Sequence, residues 1–100
     1  MRMRRTYYRH YGIDKEEEKK IKTHCMNLDE EEKDILWQAA SRANGFMAQK
    51  IYRSLTERLS YEDLDKEEYM VVGKEDFYGY QRACVNYFKN LLIFAGKYNI

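Results

Sequence analysis

The stretch EDFYGYQRACVNYFKNLLIFA, residues 75–95, decides the fold. Two acids open it, where they suit the positive end of a helix dipole. Apolar side chains then recur at helical spacing. They are Phe77, Tyr80, Cys84, Tyr87, Phe88, Leu91, Leu92 and Ala95. Gly96 follows and can end a helix in the left-handed conformation. The stretch therefore predicts a long amphipathic helix, whose apolar face must be covered by other parts of the chain.

Three helix starts precede it. Asp14 and Asp29 are each followed three residues later by a glutamate, and Ser60 is followed by Asp63. Such residues can cap exposed backbone N–H groups at a helix start. Together with the apolar spacing, they predict four more helices, and the chain has no proline to interrupt them. Their predicted ranges are 15–26, 30–43, 46–59 and 61 to about 70.

The sequence also predicts the connections between the helices. Asn44-Gly45 tolerates a left-handed conformation and is predicted to end the second helix. Val71 and Val72 are β-branched and predicted to be extended, and Gly73 permits a turn. The sequence thus predicts an all-α orthogonal bundle of about five helices. Residues 13–100 form one domain with a helix-turn-helix-like C-terminal half, and residues 1–12 form a basic, tyrosine-rich arm.

Composition supports a single globular domain. The chain has 100 residues, of which 44% are hydrophobic and 35% charged, enough for one core. Cys25 and Cys84 belong to no CxxC pair and are expected as buried free thiols rather than a disulfide. The longest apolar run, residues 91–95, is far too short for a membrane span. The basic N-terminus has no apolar stretch after it, so no secretory signal is expected. We therefore expect a cytoplasmic protein.

Charge is segregated along the chain, although the net charge is only +1. Residues 1–12 carry four arginines and no acid, and residues 59–76 carry seven acids against two lysines. Residues 14–34 are also acidic, whereas 35–58 and 77–100 are basic. These blocks either build separate basic and acidic faces or pair with one another.

Catalysis, metal binding and cofactors are not expected. A nucleophile needs a neighbouring base, and the base needs an orienting partner. His10 falls in the arm, and His24 lies on a mostly charged helix. The spacing of histidines and cysteines matches no four-ligand zinc pattern, and no glycine-rich phosphate loop is present.

DNA binding is favoured by the order of elements. In a helix-turn-helix the start of the second helix enters the major groove. The side chains expected to face a duplex there are Lys74, Tyr78, Gln81, Arg82 and Lys89. Gln81 suits adenine and Arg82 suits guanine or phosphate. Against this, Glu75 and Asp76 repel phosphate, and the same polar residues also fit a helix cap and a solvated surface.

The N-terminal arm, MRMRRTYYRHYG, is the second basic feature. Its arginines are Arg2, Arg4, Arg5 and Arg9, and they alternate with tyrosines. Arginine beside aromatic side chains suits phosphate contacts, stacking or insertion into a minor groove. A terminal segment whose tyrosines pack on the bundle fits the pattern equally well.

Three short stretches of the sequence resemble known proteins: YYRHYGI (7–13), LSYEDL (59–64) and DFYGYQR (76–82). They resemble small proteins encoded in prophages and mobile elements of Gram-positive bacteria. Residues 71–88 are similar to the turn and helix of phage transcriptional activators of the RinA and ArpU type, which resemble region 4 of sigma factors. The resemblance implies a regulator in which Tyr78, Gln81 and Arg82 face DNA. The sequence departs from that pattern at residues 74–76, where a hydroxyl cap is usual, and at Gly79, where arginine is usual.

The leading hypothesis is therefore a phage or mobile-element DNA-binding regulator that uses residues 61–95. The alternative is a small phage protein that binds and inhibits a host protein, for example a defence nuclease. It would do so through the acidic segments 14–18, 29–34 and 62–68. A third hypothesis is a homodimer formed through Tyr87, Leu91 and Phe94, which would also suit a DNA reader with two half-sites.

Overall fold

The computed structural model describes residues 12–100, which form an all-α bundle of five helices, as predicted. The helices are α1 Lys15–His24, α2 Glu30–Ala43, α3 Ala48–Thr56, α4 Tyr61–Glu67 and α5 Lys74–Phe94. The longest helix, α5, packs mainly along α2 and also contacts α1 and α3, while α3 packs on α2 and contacts α4. The arm residues 1–11 lie outside the described residues.

All three predicted helix starts are confirmed. The Asp14 and Asp29 carboxylates accept hydrogen bonds from the backbone N–H groups of Glu17 and Glu32, each at 2.8 Å. The hydroxyl of Ser60 accepts from the N–H of Asp63 at 3.1 Å. Each cap satisfies a donor that would otherwise face water at the helix start.

Three helix ends fall short of prediction. α1 stops at His24 rather than at residue 26, and the ends of α3 and α4 have local causes. α3 stops at Thr56 rather than near residue 59, because Arg58 adopts the left-handed conformation with φ of 57°. α4 stops at Glu67 rather than near residue 70, because Glu68 is extended and Asp65 accepts a hydrogen bond from the N–H of Met70 at 3.0 Å. A side-chain acceptor that captures a later N–H competes with the helical hydrogen bond.

α2 ends at Ala43 as predicted, but the start of α3 and the conformation of Asn44 differ from prediction. The side chain of Asn44 accepts hydrogen bonds from the N–H groups of Phe46, at 3.0 Å, and Met47, at 3.2 Å. It therefore caps the following turn, and α3 begins at Ala48 rather than at residue 46. Asn44 itself is extended, not left-handed as predicted. Gly96 does adopt the left-handed conformation, with φ of 70°, and ends α5 as predicted.

Every helix contributes to one hydrophobic core. Ile21, Leu36, Ile51, Leu64 and Phe88 come from α1 to α5 in turn, and each is at most 1% exposed. Burying such side chains is the dominant favourable contribution to folding. No helix among residues 12–100 is long and apolar enough to cross a membrane.

α1 is mostly charged and is held by few contacts. Besides Ile21, it is joined to α2 through His24, whose Nε2 lies 2.8 Å from a carboxylate oxygen of Glu32. Glu32 is only 7% exposed and also accepts a hydrogen bond from the N–H of Asp29 at 3.2 Å. Its two oxygens thus connect the capping box of α2 to the end of α1.

Candidate nucleic-acid and protein interfaces

Lys74, the first residue of α5, forms an ion pair with Glu62 of α4. The Lys74 Nζ lies 2.7 Å from a Glu62 carboxylate oxygen, and 56% of each side chain is exposed. The contact raises the pKa of Lys74 and lowers that of Glu62. Lys74 is therefore at the surface, as a DNA-contacting role requires, but its charge is offset by a neighbouring acid.

Tyr78 lies where the starts of α4 and α5 meet. Its hydroxyl accepts a hydrogen bond from the backbone N–H of Tyr61 at 3.0 Å. The Tyr61 hydroxyl in turn donates to the Val72 carbonyl at 2.6 Å. The Phe77 ring packs edge-on against both tyrosines, at centroid distances of 5.9 Å and 5.5 Å. This aromatic group fixes the two helices of the predicted helix-turn-helix, and the Tyr78 hydroxyl is engaged within it.

Gln81 was predicted to face DNA, and the structure contradicts this. Its side chain is buried, with the residue only 6% exposed. The Nε2 donates to the Ser54 hydroxyl at 3.0 Å, and that hydroxyl donates to the Ile51 carbonyl at 2.6 Å. Position 81 follows Phe77 by four residues, so it shares the core-facing side of α5. The helical position of Gln81, rather than its polarity, decides that it is buried, and Gly79, where the similar activators usually carry arginine, is buried too.

Lys89 faces α1 rather than an open surface. Its Nζ lies 3.0 Å from a Glu17 carboxylate oxygen, and only 18% of its side chain is exposed. It also lies over the Tyr98 ring, 5.9 Å from the centroid, and the Tyr98 hydroxyl donates to Glu17. Lys89 therefore holds α1 and the C-terminal segment against α5, which corrects its predicted role as a DNA-backbone contact.

This contact predicts a pH effect on stability. The hydrogen bonds from Tyr98 and Lys89 lower the pKa of Glu17 below its ordinary 4.5. A lowered folded-state pKa gives stability that is present above pH 4.5 and lost as the pH falls through the folded-state value. Glu17→Gln should therefore cost roughly 1 kcal/mol at about pH 7 and less at about pH 3, where the unfolded chain already carries the proton. Denaturant unfolding at both values, with Glu16→Gln as the exposed control, measures the difference; an equal cost at both would refute it.

The remaining predicted nucleic-acid contacts are Arg82 and the four arginines of the arm. Arg82 is partly buried on α5. Arg2, Arg4, Arg5 and Arg9 lie outside the described residues, so the predicted arm contacts stay predictions. Of the residues predicted on α5, the structure places Lys74 at the surface, engages Tyr78 at the junction of α4 and α5, and turns Gln81 and Lys89 toward other helices.

The acids of α4, and Glu68 directly after it, are largely engaged within the protein. Glu67 lies 3.2 Å from the guanidinium of Arg53, and Glu68 lies 2.5 Å from the Nζ of Lys50. Asp63 accepts from the Ser60 N–H at 3.0 Å. The carboxylates of Glu67 and Glu68 are more than half exposed, so their pairs are of the weak surface kind that a partner's charge can replace.

The residues proposed for a dimer contact differ in exposure. The Arg42 guanidinium covers the Tyr87 ring, 5.1 Å from its centroid, and Leu91 is partly buried against the core. Phe94, by contrast, is 92% exposed at the end of α5. Only one of the three side chains therefore projects fully from the surface.

A groove that the sequence did not reveal lies between the α2–α3 loop and the α4–α5 connection. It is a cavity of about 340 Å³ lined by Phe46, Met47, Tyr69 and Val71, among others. Phe46, Tyr69 and Val71 are 83%, 78% and 61% exposed, whereas Met47 is 1% exposed and forms the base. The Lys50–Glu68 ion pair lies on the rim. The only sign of this groove in the sequence is the presence of apolar residues in both connections. Whether those residues lie side by side depends on how distant segments pack. We call this cavity the Phe46–Tyr69 groove.

No group of histidine, cysteine or acidic side chains suited to hold a metal ion occurs within residues 12–100. No protein-family model matches the chain, and no curated protein or solved structure matches it.

Proposed function

We propose that this protein is a protein-binding module whose docking surface is the Phe46–Tyr69 groove. The observation that carries the proposal is the exposure of Phe46, Tyr69 and Val71 around one buried methionine, Met47. Large apolar side chains grouped in this way leave unfavourable surface in water and commonly mark a site of protein association. Aromatic side chains at such a surface give large contact area at a small entropic cost.

The occupant we propose is a helix or loop of a partner protein that inserts one large apolar side chain into the groove. A basic side chain beside that anchor would contact Glu68, which follows α4 and lies at the rim. The Lys50–Glu68 ion pair at the rim is of the weak surface kind, so a basic side chain of the partner can take the place of Lys50 there. Together with the resemblance to prophage proteins, this supports a host protein with a basic surface, such as a nuclease, as the partner class.

The test is site-specific photo-crosslinking followed by a measured affinity. A benzoylphenylalanine placed at Tyr69 should capture the partner, whereas one placed at Phe94, which is also largely exposed, should not. With the purified partner, Phe46→Ala combined with Tyr69→Ala should weaken binding at least about 30-fold, as expected when anchor side chains at an interface are removed. Phe94→Ala should leave the affinity unchanged.

Two results would overturn this proposal. Equal crosslinking from both positions, or an unchanged affinity of the double variant, would remove the groove from the interface. Crosslinks between two copies of the chain, with a dimer in sedimentation, would assign the groove to self-association instead.

DNA binding, as a phage or mobile-element transcriptional regulator, is the second candidate. It is supported by one observation: Tyr61, Phe77 and Tyr78 join α4 to α5 in the order of a helix-turn-helix. Fluorescence anisotropy with the gene's upstream duplex and a random duplex, over a salt series, tests it. Preference for the upstream duplex, with a loss of about 1–3 kcal/mol in Arg82→Ala, would establish DNA reading. Absence of DNA binding at low salt would rule out this second candidate, and the protein-binding proposal would then remain.

A further inference from the structure

We propose that a second cavity, between α1, α3 and α5, binds a small organic carboxylate that carries an apolar group and an N–H donor. This cavity of about 270 Å³ is lined by side chains from all three helices and by the α3–α4 connection. Leu55, Leu59 and Tyr78 supply apolar wall, Ser54 and Gln81 supply polar groups at its buried side, and Arg58 lies at its exposed side. It is separate from the Phe46–Tyr69 groove.

Gln81 gives the cavity a buried amide that can accept a further hydrogen bond. The residue is 6% exposed, and its Nε2 donates to the Ser54 hydroxyl at 3.0 Å. Its Oε1 accepts no hydrogen bond from any residue in 12–100, and it is not sealed from solvent. A largely buried amide oxygen gains from a donor, so a ligand N–H that enters the cavity would be favoured there.

The fold does not explain why an arginine, rather than a glycine, occupies position 58. It is the first residue after the C-cap of α3, and its φ of 57° is a conformation that glycine adopts without cost. A β-carbon is disfavoured at that position. The Arg58 side chain is exposed and forms no ion pair with any residue in 12–100 that would offset this cost. It places a guanidinium beside the cavity.

The charge balance favours a carboxylate over a phosphate. A guanidinium binds a carboxylate through two parallel hydrogen bonds. The other cation lining the cavity is Lys22, whose Nζ already lies 3.3 Å from Glu18. Asp63, which accepts from the N–H of the cavity residue Ser60, adds negative charge nearby. The single positive charge of Arg58 therefore balances the one negative charge of a carboxylate, but not the two negative charges of a phosphate dianion.

The size of the cavity limits the apolar part of the ligand. Drug-sized ligands occupy about 300–1,000 Å³, so this cavity suits a group of amino-acid size. An N-acylated leucine has the required chemistry, because its carboxylate would meet Arg58, its side chain Leu55 and Leu59, and its amide N–H the oxygen of Gln81. The terminal residue of a peptide ending in leucine offers the same groups.

Titration with N-acetyl-L-leucine, followed by NMR of the backbone and the Gln81 side-chain amide, tests the site. We expect saturable shifts at Gln81 and Arg58, with a Kd on the order of 1 mM. N-acetyl-L-leucinamide, which lacks the charge, should bind at least about tenfold more weakly. The peptide Ala-Ala-Leu, compared with its amidated form, distinguishes the sources: tighter binding than acetyl-leucine assigns a protein C-terminus, and weaker binding assigns a free metabolite.

Arg58→Gly separates binding from folding. Glycine relieves the left-handed strain, so the thermal midpoint should be equal to or above that of the wild type. Binding of acetyl-leucine should nevertheless fall at least about tenfold, and Arg58→Lys should restore part of it. Unchanged binding in Arg58→Gly, equal binding of the uncharged amide, or no saturable shift at about 50 mM ligand would overturn the proposal.

Discussion

Replacing Phe88 with alanine is expected to cost about 3–5 kcal/mol of unfolding free energy, a large part of the 5–15 kcal/mol typical of a domain. Phe88 lies in the C-terminal half of α5 and is fully buried, 0% exposed, in the core shared with α2 and α1. Its removal deletes apolar surface and leaves a cavity that close packing fills only partly. Guanidinium unfolding followed by circular dichroism measures the loss.

Phe94→Ala is the matched control, because it makes the same chemical change six residues later on the same helix. Phe94 is 92% exposed, so its removal should change the free energy of unfolding by less than about 0.5 kcal/mol. The two positions also test the orientation of α5. Comparable losses at Phe88 and Phe94 would contradict the face of α5 that this structure buries.

The sequence predicted the helices well because their determinants are local. Asp14, Asp29 and Ser60 lie within three residues of the N–H groups they cap, and the apolar spacing of α5 lies within one segment. The errors in length have local causes as well, but weaker ones. Arg58 ends α3 in a conformation for which glycine is the usual signal, so an arginine there gave no warning.

The candidate sites were harder to predict because they depend on distant residues. Lys89 looked like a free cation on a helix, but its partner, Glu17, precedes it by 72 residues. Gln81 looked exposed because it is polar, although its helical position placed it opposite Ser54, 27 residues earlier. In both cases tertiary packing decides the role of the side chain, and no pattern of neighbouring residues reports it.

The Phe46–Tyr69 groove shows the same limit for apolar residues. Phe46 was predicted as the first residue of a helix and Val71 as part of an extended connection, and an exposed apolar residue in either place carries little information by itself. Their significance comes from the fold, which brings the α2–α3 loop beside the α4–α5 connection above Met47. A surface built from two connections is therefore visible only once the helices between them are placed.

Both cysteines are expected to resist alkylation and disulfide reagents in the native protein by a large factor. Cys25 is 1% exposed and Cys84 is 0% exposed, and both are free thiols, as the sequence predicted. Burial raises the pKa of Cys25 from its ordinary 9.0 to about 12, and it also raises the pKa of Cys84. Because the thiolate is the reacting form, the pKa change alone should slow Cys25 roughly 10³-fold at about pH 8.

The raised thiol pKa values also set a direction for stability at high pH. The unfolded chain loses its thiol protons near the ordinary value of 9.0, whereas the folded chain keeps the Cys25 proton to about 12. A raised folded-state pKa contributes stability that is fully present below the unfolded value and lost as the pH rises through the folded one. The contribution of Cys25 should therefore decline between about pH 9 and 12.

Thiol labelling with Ellman's reagent, read by peptide mass spectrometry, measures the protection. Thr23→Cys supplies an exposed thiol on α1, two residues from Cys25, and it should react at the rate of an unfolded chain while Cys25 in the same molecule stays protected. In guanidinium, both native thiols should react. Rapid reaction of Cys25 in the folded protein would show that α1 detaches from the core readily, since only local opening of α1 exposes that thiol. Failure of both cysteines to react even when unfolded would instead indicate that they are joined as a disulfide, against the buried thiols described here.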